Sequence, residues 1–265
     1  MTSNNLSKLL LKISAGAGLC FTTFVSLPEK TWSDTCPTNP SSLAEMCTVT
    51  PERYEITVYE MGLCTSDPLS GTNFDATTCS ATLSSSDGIS VDIAGTTATL
   101  SGGADERPPS AEYEYAYIKM SNSFELRGSY ELNDTTYYSD SDGGPITIAP
   151  AKNFTDVLYN FEGGSSCTGT PSYSTSETLS GGVMTARITD DSYVTSTSCG
   201  SSTSVVGSFK PTDSSQLTIL DSTSGLEVQF TTTGTSLSII PDSSTGGTTL
   251  NGFGGGPFQP QFEKF

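Results

Sequence analysis

The chain has 265 residues, with 29 Asp and Glu against 11 Lys and Arg, a net charge of −18. That balance repels nucleic-acid phosphates and anionic lipid headgroups, so neither is an expected partner. His is absent, which removes Ser-His-Asp and Cys-His catalysis, His-ligated metals and His proton shuttles.

Residues 1–33 read as an export signal. Lys8 and Lys12 precede a mostly apolar run, Ile13–Val25, of the length of a signal core and too short to span a bilayer. Thr31 and Ser33 fit the small-x-small cleavage rule loosely, and an uncleaved anchor is the alternative. Removal of Cys20 with the signal leaves six cysteines: Cys36, Cys47, Cys64, Cys79, Cys167 and Cys199. An even count behind an export signal predicts disulfides formed in an oxidising compartment. Sequence proximity favours Cys36–Cys47, Cys64–Cys79 and Cys167–Cys199, each closing a polar loop. No CxxC occurs, which argues against zinc and thioredoxin-type chemistry.

Glu52–Cys64 is the first clear strand, with Tyr54, Ile56, Val58 and Glu60 on one face and Glu55, Thr57, Tyr59 and Met61 on the other. Thr65–Ser86 reads as a long polar loop pinned by Cys64–Cys79. Ile89–Ile93 and Thr97–Leu100 read as a short hairpin around Ala94-Gly95. Ala111–Leu132 reads as the centre of the protein: two strands of period-2 pattern joined at Ser121-Asn122. That register sets Tyr113 opposite Tyr130 and Tyr117 opposite Leu126 on one buried face, with Arg127 on the other.

Ile146–Ile148 is a short strand, and Phe154–Phe161 a strand or brief helix. Thr178–Thr189 and Ser192–Ser198 look paired across Asp190-Asp191. Val205–Phe209, Gln216–Leu220, Leu226–Thr232 and Leu237–Ile240 follow at a regular spacing with turn residues between. This rhythm predicts an all-β fold, an antiparallel β-sandwich or jelly-roll-like arrangement of short strands with disulfide-pinned loops. It occupies residues 34–250, with a subdivision near 143–152 as the alternative to one continuous sandwich. The tail, 251–265, holds Phe253, Phe258, Phe262 and Phe265 among Gly, Pro and Gln. It either packs on its own domain or docks on a neighbouring subunit, and these four Phe are the candidate assembly contact.

Two stretches carry a resemblance. Tyr54, Thr57, Leu63, Cys64 and Thr65 in the first strand, and Phe124, Leu126 and Gly128 later, resemble a loosely defined group of exported, Ser/Thr/Gly-rich bacterial β-proteins, mostly uncharacterised. The resemblance implies an exported β-protein and supplies no activity or catalytic residue.

Ser139–Gly144 resembles part of a calcium loop, with Asp140 and Asp142 as candidate ligands. Tyr138 and Ala149 stand where the full pattern needs Asp and Glu, so weak calcium binding is the most it implies. The adjacent acids Asp190-Asp191 and Asp105-Glu106 read as solvated turns, and Trp32, Tyr137 and Tyr138 as candidate sugar-stacking aromatics. No other cofactor, no metal and no enzymatic activity is expected. The expected protein is secreted or exposed at the cell surface, with no membrane span in its mature chain. It is a self-associating structural subunit of a filament, matrix or surface layer, and the alternative is a secreted adhesion module for glycan or a surface partner.

Overall fold

The computed structural model describes residues 34–95, 103–162, 167, 170–179, 181–223 and 226–264. Residues 1–33, expected to be an export signal, the expected strand Thr97–Leu100 and Phe265 lie outside these residues. In chain order the first strands are β1 (Cys47–Val49), β2 (Arg53–Cys64), β3 (Cys79–Asp92), β4 (Ala104–Asp105), β5 (Ala111–Glu112), β6 (Tyr115–Ser121), β7 (Ser123–Arg127), β8 (Ser129–Leu132) and β9 (Thr135–Ser139). They are followed by β10 (Pro145–Ile146), β11 (Phe154–Val157), β12 (Ser174–Leu179), β13 (Gly182–Thr189), β14 (Ser204–Pro211) and β15 (Thr218–Ile219). The last are β16 (Leu226–Thr231), β17 (Leu237–Pro241), β18 (Leu250–Gly255) and β19 (Gln259–Lys264). Every ladder between these strands is antiparallel, and the helices among the described residues are short 3-10 turns. The expected all-β class is therefore what forms.

Nine strands make the main sheet, in the order β11-β7-β2-β6-β14-β13-β12, with β3 and β4 running off β2. Alternation decides its two faces. Val58, Met120, Val205 and Ile188 are register partners across β2, β6, β14 and β13, and all four are buried. Cross-strand rows of this kind build the main core. A three-stranded sheet, β1-β17-β18, adds Cys47, Leu237, Ile239, Leu250 and Phe253 to that core, giving a sandwich-like fold. Leu126 is buried beneath it, close to Gly255, and a Cβ on Gly128 would strike Leu237.

The expected central hairpin does not exist. β6 and β7 do not pair with each other; both run antiparallel to β2, β7 beside Arg53–Glu55 and β6 beside Val58–Cys64. The two are one strand bent at Asn122. This residue is buried, and its Nδ2 donates to the Leu158 and Ser202 carbonyls at 3.2 and 3.0 Å. Its backbone carbonyl also accepts from Leu158 N–H at 2.8 Å. An Asn whose polar groups are met by other segments has no need of a solvent-exposed turn. Ala116, Ile118, Met120, Asn122, Phe124 and Leu126 thus keep one unbroken period of two. Tyr117 is buried as expected, but on the face opposite Leu126.

Other boundaries also move. β13 pairs with β12 and β14, while Ser192–Ser198 contributes two isolated bridges, Thr195 to Thr189 and Val194 to Asn73, instead of a strand. Segments before and after 143–152 share the main sheet, so no domain boundary falls there. The break at residue 250 fails too, because β18 begins at Leu250 inside the small sheet. The assembly-contact assignment needs correction for two of its residues. Phe253 is only 5% exposed in its own core. Phe258 packs edge-on against Tyr54 and Phe230, with ring centroids 5.5 and 5.4 Å away. Phe253 is thus buried within its own chain, and Phe258, partly buried, packs on its own chain as well. Phe262 lies on β19, paired with Val228 of β16.

The three disulfides join Cys36 to Cys47, Cys64 to Cys79 and Cys167 to Cys199, as sequence proximity predicts. Disulfides of this kind belong to an extracellular or otherwise oxidising environment. No helix among the described residues is long and apolar enough to cross a membrane.

Candidate functional site

The second face of the main sheet carries the polar partners of the core rows. Glu60 of β2 stands opposite Lys119 of β6, and Gly62 opposite Tyr117. Gly62 is required here: a Cβ would sit 2.6 Å from the Tyr117 ring and 2.4 Å from the Ser80 carbonyl oxygen. Two covers close over this row. One is the Cys64–Cys79 loop, the other the turn at 190–195, and they meet where Phe74 N–H donates to the Tyr193 carbonyl.

Lys119 lies beneath both covers at 7% exposure. Its Nζ donates to Glu60 Oε1 at 2.8 Å and sits 4.3 Å from the Phe74 ring centroid and 4.5 Å from that of Tyr193. Tyr117 donates from its hydroxyl to the same Glu60 oxygen at 2.7 Å, and its ring lies 5.0 Å from Phe74. A cation removed from water needs such compensation, here one carboxylate, the near ring faces of Phe74 and Tyr193, and the more distant ring of Tyr117 at 5.9 Å.

Beside this pair opens a shallow cleft of about 250 Å³, lined by Tyr59, Glu60, Ser84, Ser85, Ser86 and Tyr193. Two irregularities make it. In β2 the register steps from Val58 to Glu60, leaving Tyr59 as an extra, bulged residue, so that Glu60 turns away from the face of Val58 and Met61 joins the core, the reverse of the alternation expected for both. In β3 it steps from Ile89 to Ser84, so that Ser85–Gly88 loops out of the ladder at the same level. Gly88, at φ +79°, lies against the Tyr59 ring, where a Cβ would come within 2.9 Å of it. Tyr193 itself has φ +60°, a left-handed backbone rarely adopted by an aromatic residue. The turn holds it there: Asp190 Oδ1 accepts from the backbone N–H groups of Ser192 and Val194 at 2.9 and 3.0 Å. Bulges and strained backbone of this kind gather at functional sites.

Burial, followed by the nearby Glu60 carboxylate, pushes up the Tyr193 hydroxyl. Burial, followed by the bond to Glu60, does the same for Tyr117. Both are therefore neutral hydroxyls at ordinary pH. Burial also raises Tyr54, with a smaller contribution from Asp156, and Tyr130. A Tyr whose folded value stands above its unfolded value, about 10, gives a contribution to stability that is complete below that pH. The contribution is lost as pH climbs through and beyond it. The urea midpoint is accordingly expected to hold steady to about pH 9.5 and then fall, as Tyr54, Tyr117, Tyr130 and Tyr193 ionise more readily in the unfolded chain than in the folded one. A urea midpoint that has not fallen by about pH 11.5 would contradict these shifts.

The residues singled out from the sequence lie elsewhere. Asp140 and Asp142 sit in the turn between β9 and β10. Asp140 Oδ1 pairs with Lys152 Nζ at 2.7 Å, and Asp142 Oδ1 accepts from Gly144 N–H at 2.9 Å. The Lys152 bond, helped by Ser141 N–H, holds the Asp140 carboxyl below its usual range. Among the described residues no group of three or more His, Cys, Asp and Glu is placed to hold a metal ion. Trp32 lies outside the described residues, and Tyr137 packs against the core. Tyr59, Glu60 and Tyr193 escape sequence reasoning because a bulge and a long-range turn bring them together. The one available hint is Tyr59, an aromatic that follows Glu55 and Thr57 on the polar side of the alternation in β2.

Comparison of the chain with known protein families, with curated proteins and with solved structures finds no match. The functional reading therefore rests on geometry.

Proposed function

We propose that this chain is an exported, disulfide-stapled adhesion module that holds a glycan in the Tyr59–Tyr193 cleft. The observation that carries the reading is the pairing of two half-buried Tyr rings with a carboxylate and three Ser hydroxyls at a double break in the sheet. Tyr rings offer faces on which the C–H side of a sugar stacks, and hydroxyls and carboxylates take up its OH groups. Three disulfides and an N-terminal stretch that reads as an export signal support an extracellular location. The tail gives no support to assembly as a filament, since Phe253 and Phe258 are used inside the chain.

An oligosaccharide array followed by calorimetry tests the reading. Tyr193→Ala is expected to weaken glycan binding by about tenfold to thirtyfold, the scale of an aromatic anchor. The same protein should keep its far-ultraviolet circular dichroism. Glycan affinity untouched by Tyr193→Ala, or no glycan bound by the parent chain, overturns it.

A further inference from the structure

We infer that the sugar taken by this cleft is uncharged, an inference that rests on the glycan reading above. Among the described residues, Glu60 is the one carboxylate or amine lining the cleft. Its charge is already answered: Oε1 receives both Lys119 Nζ at 2.8 Å and the Tyr117 hydroxyl at 2.7 Å. Lys119 in turn is hidden behind the rings of Phe74 and Tyr193. The floor therefore offers polar contacts without a net field. What it presents to a ligand are the hydroxyls of Ser84, Ser85, Ser86, Tyr59 and Tyr193 and one neutralised carboxylate.

An anionic saccharide finds no free cation in this lining and meets a chain of net charge −18. An amine-bearing saccharide finds its natural partner, Glu60, engaged by Lys119. The remaining nearby acids do not substitute for it. Asp87 and Asp191 are exposed, so solvent and salt screen them, and Asp190 is occupied with the backbone of its own turn. A neutral sugar loses nothing by this arrangement, because its hydroxyls both donate and accept, as do those of Ser and Tyr.

The experiment is calorimetry on the full chain with three sets of oligosaccharides of matched length: neutral hexose, uronate and deacetylated amino sugar. Each is run at about 20 mM and about 500 mM salt, which shortens the screening length several-fold. The neutral set is expected to bind with an affinity that changes by no more than about twofold between the two salts. The charged sets are expected to bind at least about tenfold more weakly. Tyr59→Ala and Tyr193→Ala are run beside the parent chain. If a uronate or amino-sugar set binds best, loses affinity in salt and is weakened by both variants, the cleft stands and the uncharged assignment is overturned. If no set binds, or binding survives both variants, the glycan reading falls and the assignment with it.

Discussion

Truncation after Asn251 is expected to give a chain that fails to fold, or folds with most of its stability gone. The cut removes Phe253, which is 5% exposed, and Phe258, which packs on Tyr54 and Phe230. Burial of each ring is worth about 1.5–3 kcal/mol. The cut also strips most of β18 from β17 and leaves several groups without partners. Tyr54 loses the Gly256 carbonyl that its hydroxyl donates to at 3.0 Å. Ser236 and Ser238 lose the Pro257 and Gly255 carbonyls. Asp156 loses Gly255 N–H. Against a typical total stability of about 5–15 kcal/mol, this is a decisive fraction. Phe253→Ala, in the full-length chain, is the milder companion and should cost about 3–5 kcal/mol. Urea unfolding followed by tyrosine fluorescence measures both. A truncated chain with the parent's midpoint would show that the tail does not belong to the core.

The Glu60–Lys119 pair is expected to behave asymmetrically. Glu60→Ala leaves an almost fully buried ammonium with ring faces but no counter-charge, and takes the acceptor from the Tyr117 hydroxyl. Its cost should be about 3 kcal/mol. Lys119→Met keeps the apolar stem against Phe74 and Tyr193, and leaves a Glu60 side chain that still reaches solvent at 28% exposure. That change should cost only about 1 kcal/mol. Replacing both, by Glu60→Leu with Lys119→Met, should recover much of the loss of Glu60→Ala, because no buried charge is then left unpaired. Denaturant midpoints of the single and double variants decide the matter. Strictly additive losses would mean that the two side chains are not coupled.

The Lys119 cluster also shows how far the sequence could be read. Period-2 alternation placed Tyr54, Ile56 and Val58 on one face of β2, and all three are buried there. The cysteines paired with their sequence neighbours, since each loop is short enough for local closure to dominate. The same alternation runs on through Ser121-Asn122, where the sequence suggests a turn. Ser and Asn favour turns only when solvent must satisfy them, and here the Leu158 and Ser202 carbonyls take that part. No local pattern announces partners so distant in sequence.

For this chain, local chemistry alone determined the all-β class, the acidic surface, the disulfide pairing and the apolar face of the first strand. Each follows from side-chain type and spacing over a few residues. Tertiary structure decided the rest: that β6 and β7 share one edge of β2, that the tail closes its own core, and that Tyr59, Glu60 and Tyr193 surround one cleft. Register is set by the summed burial of many rows. A one-residue bulge at Tyr59 and a four-residue excursion at Ser85–Gly88 change which side chains meet while leaving local composition unaltered.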